Sequence, residues 1–317
     1  MVDVQANLKE TLEPEVRDYF ELLKPKVMRL VVFTAAIGLV AAPQTVHPVV
    51  AIASLLCVAV GAGAAGALNM WWDADIDQLM KRTKERPIPS GRISSEQTLS
   101  FGIILSILSV MMLGLFANAI AAGLLAFTIF FYLVVYSMWL KRLTPQNIVI
   151  GGAAGAFPPL IGWSIASGGV GFESIMMFLL IFIWTPPHFW TLALFVNQDY
   201  SKARIPMLTV THGTAYTRRH IVIYTCALFI LSVLITFSTL GGPLYGLVCI
   251  PLNLWFLLGA IKIYVRDDSE SKLDGFKAEK GLFVFSIGYL FAHFGVIGIE
   301  TLLKRIIPNY LHWPQIF

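Results

Sequence analysis

Nine stretches of about twenty residues, each almost free of charge, recur along the chain, at roughly 27–46, 48–70, 97–116, 118–140, 147–166, 172–196, 220–239, 243–264 and 282–303. Inside a bilayer every backbone N–H and C=O must find its partner within the protein, so apolar blocks of this length fold as spanning helices. The composition agrees. Only 13% of residues are charged and 57% are hydrophobic, against about 25% charged in an average soluble domain, and the mean hydropathy is +0.73. The expectation is an all-α, polytopic membrane protein: one nine-helix bundle over residues 26–305, with a short N-terminal segment at 1–25 and a tail at 306–317.

Basic residues set the orientation. With the N-terminus in the cytoplasm, the N-terminal segment and the even-numbered loops carry 21 of the 23 Lys and Arg residues, and only Lys304 and Arg305 fall outside. The positive-inside rule then places the N-terminus and the charged loops in the cytoplasm and the tail on the far side. The first 25 residues hold six acids and no apolar core, the pattern of neither a signal peptide nor an Arg-rich transit peptide, which favours a bacterial-type inner membrane, with the mature form of an organellar protein as the alternative. Cys57, Cys226 and Cys249 lie inside expected spans with no CxxC pattern, so they read as three small buried hydrophobes. The net charge of +4 reports topology and gives no ground for a nucleic-acid partner.

The charge that remains is concentrated. NMWWDADIDQLMKRTKERPIPSGR, residues 69–92, closes the second span. Asn69, Asp73 and Asp77 are spaced i, i+4, i+8 and form one helical stripe. Like charges at that spacing cost a few tenths of a kcal/mol in water and more near lipid, so a divalent cation is the natural reason for the arrangement. Mg²⁺ fits, because it takes carboxylates together with water and phosphate oxygens. Asp75, on the opposite face, is expected to pair with a loop arginine or to face solvent. The bland reading, that these acids only mark the end of a span, does not account for the basic loop next to them. Lys81, Arg82, Lys84, Arg86 and Arg92 stand within twelve residues, on a loop that Pro87 and Pro89 keep from being a regular helix. Carboxylates beside a basic loop at a membrane face point to a diphosphate whose organic part lies in the bilayer. A second cluster, VNQDYSKARIPML, closes the sixth span with Asn197, Asp199, Lys202 and Arg204 on the same side.

At these residues the sequence resembles the UbiA-type intramembrane prenyltransferases, which have nine helices around a central cavity and two aspartate-rich motifs that hold Mg²⁺ and a prenyl diphosphate. The first motif matches in full at Asn69, Asp73 and Asp77. The second departs, with Ala203 four residues after Asp199 where relatives place an acid. That departure, with NMWWDADID, KRTKERPIPSGRIS, WTPPHFWTLAL and DYSKARIPML, is similar to the branch of the family that prenylates heme, over residues 20–305. The resemblance implies farnesyl diphosphate and heme b as substrates. The farnesyl group would pass to a heme vinyl group with addition of water, to give heme O. It also implies Mg²⁺ held through Asn69, Asp73, Asp77 and Asp199, and diphosphate held by Lys81, Arg82, Arg86, Arg92, Lys202 and Arg204. A downstream heme A-forming enzyme or a terminal oxidase would receive the product.

His188, in WTPPHFW within the sixth span, is a candidate heme contact; the competing reading has it bond a carbonyl freed by Pro186 and Pro187. His293 is a weaker candidate. Pro158 and Pro159 are expected to bend a closely packed helix, and Gly61, Gly63 and Gly66 to allow tight helix contact. Trp71 and Trp72 suit an interfacial belt, and Tyr200 suits a cap or a diphosphate contact. A transporter would place its acids near the bilayer midplane, an assembly factor would have no use for the stripe, and a relative acting on a quinone precursor is the nearest alternative enzyme.

Overall fold

The computed structural model describes residues 14–307, 310 and 313–316; the first half of the expected N-terminal segment lies outside them. Among the described residues the structure is helical, without strands. The spanning helices run Pro25–Ala41, Pro48–Trp72, Ser95–Phe116, Ala119–Leu143, Asn147–Ser167, Phe172–Phe195, Thr214–Thr236, Pro243–Tyr264 and Lys277–Ile306. Eight of these are long and apolar enough to cross a membrane. Pro25–Ala41 has 17 residues, the short end of the spanning range. The chain is an integral multi-pass membrane protein.

Helix ends follow local chemistry. Proline occupies the first turn of the first, second and eighth spans, where its missing N–H costs nothing. The third span opens on a capping box between Ser94 and Gln97. The seventh starts at Thr214 rather than at the expected 220, because Arg218 is buried and neutralised by Asp268 at 3.1 Å and Glu279 at 3.6 Å. A hydropathy pattern discounts that turn; the ion pairs keep it helical.

Small residues let the helices close on one another, as in membrane bundles generally. A Cβ at Gly162 would stand 1.8 Å from the carbonyl oxygen of Ala35, and one at Gly38 would stand 2.0 Å from that of Pro159. The first and fifth spans therefore pack backbone to backbone, as the run of small residues and prolines around Pro158 suggested. Two apolar cores result. One joins the sixth to ninth spans around Trp190, Tyr245, Phe256 and Phe294, and the other joins the first five around Val58, Leu68, Leu113 and Leu125. Cys57 and Cys249 are buried in them, but Cys226 is exposed on the outer surface of the seventh span and is not a core residue. Being apolar enough for lipid, a cysteine gives no sequence signal of which way it faces.

The two ends of the bundle differ. At the end bearing Lys304 and Arg305, these cations donate to main-chain carbonyls, Lys304 to Thr239 at 2.9 Å and to Gly241, and Arg305 to Ala42. The tail returns there, with Trp313 donating to Thr236 at 2.9 Å and stacking on Phe237. The carboxylate motifs gather at the other end.

Candidate active site

Asp73 closes the second span, and the chain continues at once into a short helix, Ala74–Leu79, so the spacing Asn69, Asp73, Asp77 keeps its helical phase across the junction. All three side chains are buried. Asn69 donates to Asp73 Oδ2 at 2.7 Å and to Ser137 Oγ at 2.9 Å. Lys141 donates to the same Asp73 oxygen at 2.5 Å, and Arg86 pairs with Asp77 at 2.6 Å. Lys24 donates to Asn69 Oδ1 at 2.7 Å. Three cations from three separate elements therefore converge on the stripe.

Each cation is placed by a local irregularity. Lys24 lies between the short helix Val16–Leu22 and the first span, in a left-handed conformation at φ 52°. Its segment lies against Gly63 and Gly66, where a Cβ would come within 3.0 Å of Leu23 and 3.3 Å of Lys24. The side chain is only half-exposed and set among protein atoms. That desolvation lowers its ammonium to about 7, helped by Arg86 and Lys141 and opposed by Asp73 and Asp77. Lys141 and Ser137 come from the fourth span, where residues Phe131–Leu140 form a π-helix. Ser137 there donates to the carbonyl of Tyr132, five residues back, at 2.7 Å. Wide turns of this kind concentrate at functional sites, and this one carries Ser137 and Lys141 to the stripe. Tyr132 and Tyr136 stack beside it, with Lys24 over the Tyr132 ring at 5.8 Å.

The other expected residues divide. Asp75 faces away and is held by Arg142 at 2.8 Å, which keeps its carboxyl below the usual range. Arg92 pairs with Asp18 and Glu21 of the N-terminal helix and so anchors the segment that delivers Lys24. Lys81 and Arg82 are exposed. The second cluster meets the first through an apolar contact: Ile76 and Met80 pack with Tyr200, Ala203, Ile205 and Met207. Tyr200 is buried in that contact, and Asp199, half-buried, has no ion pair among the described residues. Lys202 and Arg204 are exposed, Arg204 with a left-handed backbone at φ 53°. Trp72, half-exposed, lies under Arg142 at the rim.

His188 does not bond a carbonyl freed by the prolines. Its Nδ1 meets Ser286 Oγ at 2.6 Å, and its ring lies flat against Trp184 and Phe283, with centroids at 4.3 and 4.6 Å. Thr191 takes the Pro187 carbonyl at 2.6 Å. His293 meets Tyr245 Oη at 2.8 Å in a fully buried polar network.

The donor set suits a hard divalent cation. Asp73 Oδ1 is buried with no hydrogen-bond partner, and two carboxylates with an amide are the oxygen donors that Mg²⁺ takes. Among the described residues no three carboxylate, imidazole or thiol groups stand close enough to hold a metal by themselves. A cation on the stripe would therefore take part of its shell from water or from a phosphate.

A helical membrane bundle with an Asn/Asp stripe under converging cations defines an intramembrane prenyltransferase, and the chain belongs to the UbiA prenyltransferase family, whose sequence pattern matches residues 30–287. Among its relatives is the protoheme IX farnesyltransferase of Cereibacter sphaeroides, 61% identical over 90% of this chain and 93% of that one. The protoheme IX farnesyltransferase of Paracoccus denitrificans is 58% identical, over 93% of this chain and 96% of that one. The fold is similar to that of digeranylgeranylglyceryl phosphate synthase, with a TM-score of 0.73 at 19% identity over 90% of this chain and 99% of that one. A UbiA homolog from Archaeoglobus fulgidus bound to DMAPP and Mg²⁺ gives 0.66 at 19% identity, covering 89% and 99%.

Proposed function

We propose that this chain transfers the farnesyl group of farnesyl diphosphate to a vinyl group of protoheme IX, with addition of water, to give heme O and diphosphate. The observation that carries the reading is the 61% identity, over nine-tenths of the chain, to relatives named for that reaction.

The geometry supports a mechanism for it. Arg86 and Lys141 are cations paired with the stripe and Lys24 donates to it, with Lys81, Arg82, Lys202 and Arg204 exposed. Together they grip the diphosphate and stabilise the charge that builds on it as the allylic C–O bond ionises. Arg92 serves the same end at one remove, by anchoring the N-terminal helix. Asn69, Asp73, Asp77 and Asp199 would hold Mg²⁺, which would supply further neutralisation of the diphosphate. The farnesyl cation adds to the terminal carbon of the vinyl group, and water captures the resulting cation beside the porphyrin with loss of a proton. The first cation must be kept from water, which would otherwise turn it into farnesol.

His188 is proposed to meet the heme. Its Nδ1 is engaged by Ser286 and both ring faces are covered, so Nε2 is the nitrogen left to reach an iron. The site and the N-terminus face the cytoplasm of a bacterial inner membrane, in a single domain over 26–305. The product passes to a terminal oxidase or a heme A-forming enzyme.

The test is direct. The purified chain receives heme b, labelled farnesyl diphosphate and Mg²⁺, and the pigment is analysed by mass spectrometry. Heme carrying one farnesyl group and one water supports the proposal. Transfer to a quinone precursor, with heme untouched, defeats it.

A further inference from the structure

At the cytoplasmic entry of the seventh span, His212, Tyr216 and His220 lie at i, i+4, i+8 and form an aromatic ladder, with ring centroids 5.0 and 4.1 Å apart. His212 is exposed and His220 half-buried. His220 meets Trp190 edge to face at 6.0 Å, and Trp190 belongs to the sixth span, two residues beyond His188. None of these side chains serves the diphosphate site.

A hydrogen bond settles the tautomer of His220, and His212 is engaged at the same ring nitrogen. His220 Nδ1 lies 2.9 Å from the Tyr216 carbonyl, which can only accept, so Nδ1 carries the proton. His212 Nδ1 lies 2.8 Å from Thr211 Oγ1, and that hydroxyl already donates to the Met207 carbonyl at 3.1 Å. His212 Nδ1 is thereby engaged, and Nε2 is the ring nitrogen left open. In His220 the lone pair stands on Nε2, and in both rings Nε2 has no hydrogen-bond partner among the described residues. An imidazole with Nδ1–H anchored and Nε2 free is the form that ligates metal. Simple anchoring in the interfacial aromatic belt would not require that lock.

The full ring of Tyr216 between them keeps the two histidines from sharing one small ion, so each offers a single ligand. An iron porphyrin suits that: imidazole takes the iron, the ladder offers an aromatic surface, and Arg219, exposed and without an ion pair among the described residues, can take a propionate. We propose that this ladder is a loading site, where heme b is captured at the membrane surface by Nε2 of His212 or His220 before it enters the site near His188. The proposal rests on heme being the substrate.

The experiment is a titration of the purified full-length chain with heme b, read by absorption and by heme equivalents bound. Farnesyl diphosphate binding reports that each variant is folded. Wild type should take up two equivalents. The variant carrying His212→Ala and His220→Ala should lose one of them, together with its imidazole-ligated spectrum. Metal-free protoporphyrin should bind wild type and the variant alike, because it has no iron to ligate. Loss of the second equivalent only for the iron porphyrin supports the loading site. Two equivalents retained by the variant, with an unchanged spectrum, overturn it and leave the substrate reading standing. A wild type that binds no heme overturns both.

Discussion

Lys141→Met tests whether the Asp73 carboxylate is held by the cation the structure gives it. Asp73 is only 1% exposed at its side chain and Lys141 18%, at 2.5 Å. Removing one partner of a buried pair leaves an uncompensated charge, at a cost of about 3–5 kcal/mol. Asn69 still donates to Asp73, which places the expected loss near the lower figure, about 3 kcal/mol, or roughly a hundredfold in the folding equilibrium. Methionine keeps the apolar stem, so little packing is lost. The assay is unfolding in detergent micelles with and without Mg²⁺. The variant should be destabilised without Mg²⁺ and should recover more than wild type as Mg²⁺ is added, because the ion then supplies the missing positive charge. Adding Asp73→Asn to Lys141→Met should restore much of the stability, since no charge is left stranded, while turnover stays lost. The unequal effects would appear as a coupling energy in the double-mutant cycle. A Lys141→Met protein as stable as wild type, or a double variant no more stable than the single one, would refute the reasoning.

Asp73→Ala and Asp77→Ala should abolish turnover at any Mg²⁺ concentration, whereas Asp199→Ala, which breaks no ion pair among the described residues, should keep residual activity that rises with Mg²⁺; equal, unrecoverable loss in an assay across a Mg²⁺ series would show the two motifs to be equivalent. Single cysteines at the exposed positions Lys84 and Val170 should label only from the cytoplasm and only from outside, respectively, when intact cells are treated with an impermeant reagent. Gly162→Ala should destabilise the fold by about 1–3 kcal/mol, because its Cβ would sit 1.8 Å from the Ala35 carbonyl; an unchanged thermal midpoint would mean that the first and fifth helices are not packed that closely.

Features legible in the sequence keep a helical period here, and the hidden ones depend on departures from it. The Asn69–Asp73–Asp77 stripe can be read directly, since i, i+4, i+8 survives the junction at Asp73. Spans are legible from apolar length, and Asp75 from its opposite phase. Lys141 is not, because FYLVVYSMWL reads as ordinary apolar helix; its π turns set the phase that brings Lys141 onto an aspartate 68 residues away. Lys24 is hidden for a related reason. A lysine before a proline at the start of a span looks like an interfacial anchor, and only the left-handed turn at its own backbone sends it to Asn69, 45 residues on. Arg92, by contrast, is legible as a cation but not as a strap, since its partners Asp18 and Glu21 belong to a segment with no pattern of its own. Asp73 and Asp77 thus keep one helical phase across a junction, which fixes their spacing, while the cations arrive on a turn, a loop and the end of a π-helix. That division suits a site that must hold its acids at fixed separation and let its cations shift between carboxylate and phosphate oxygens.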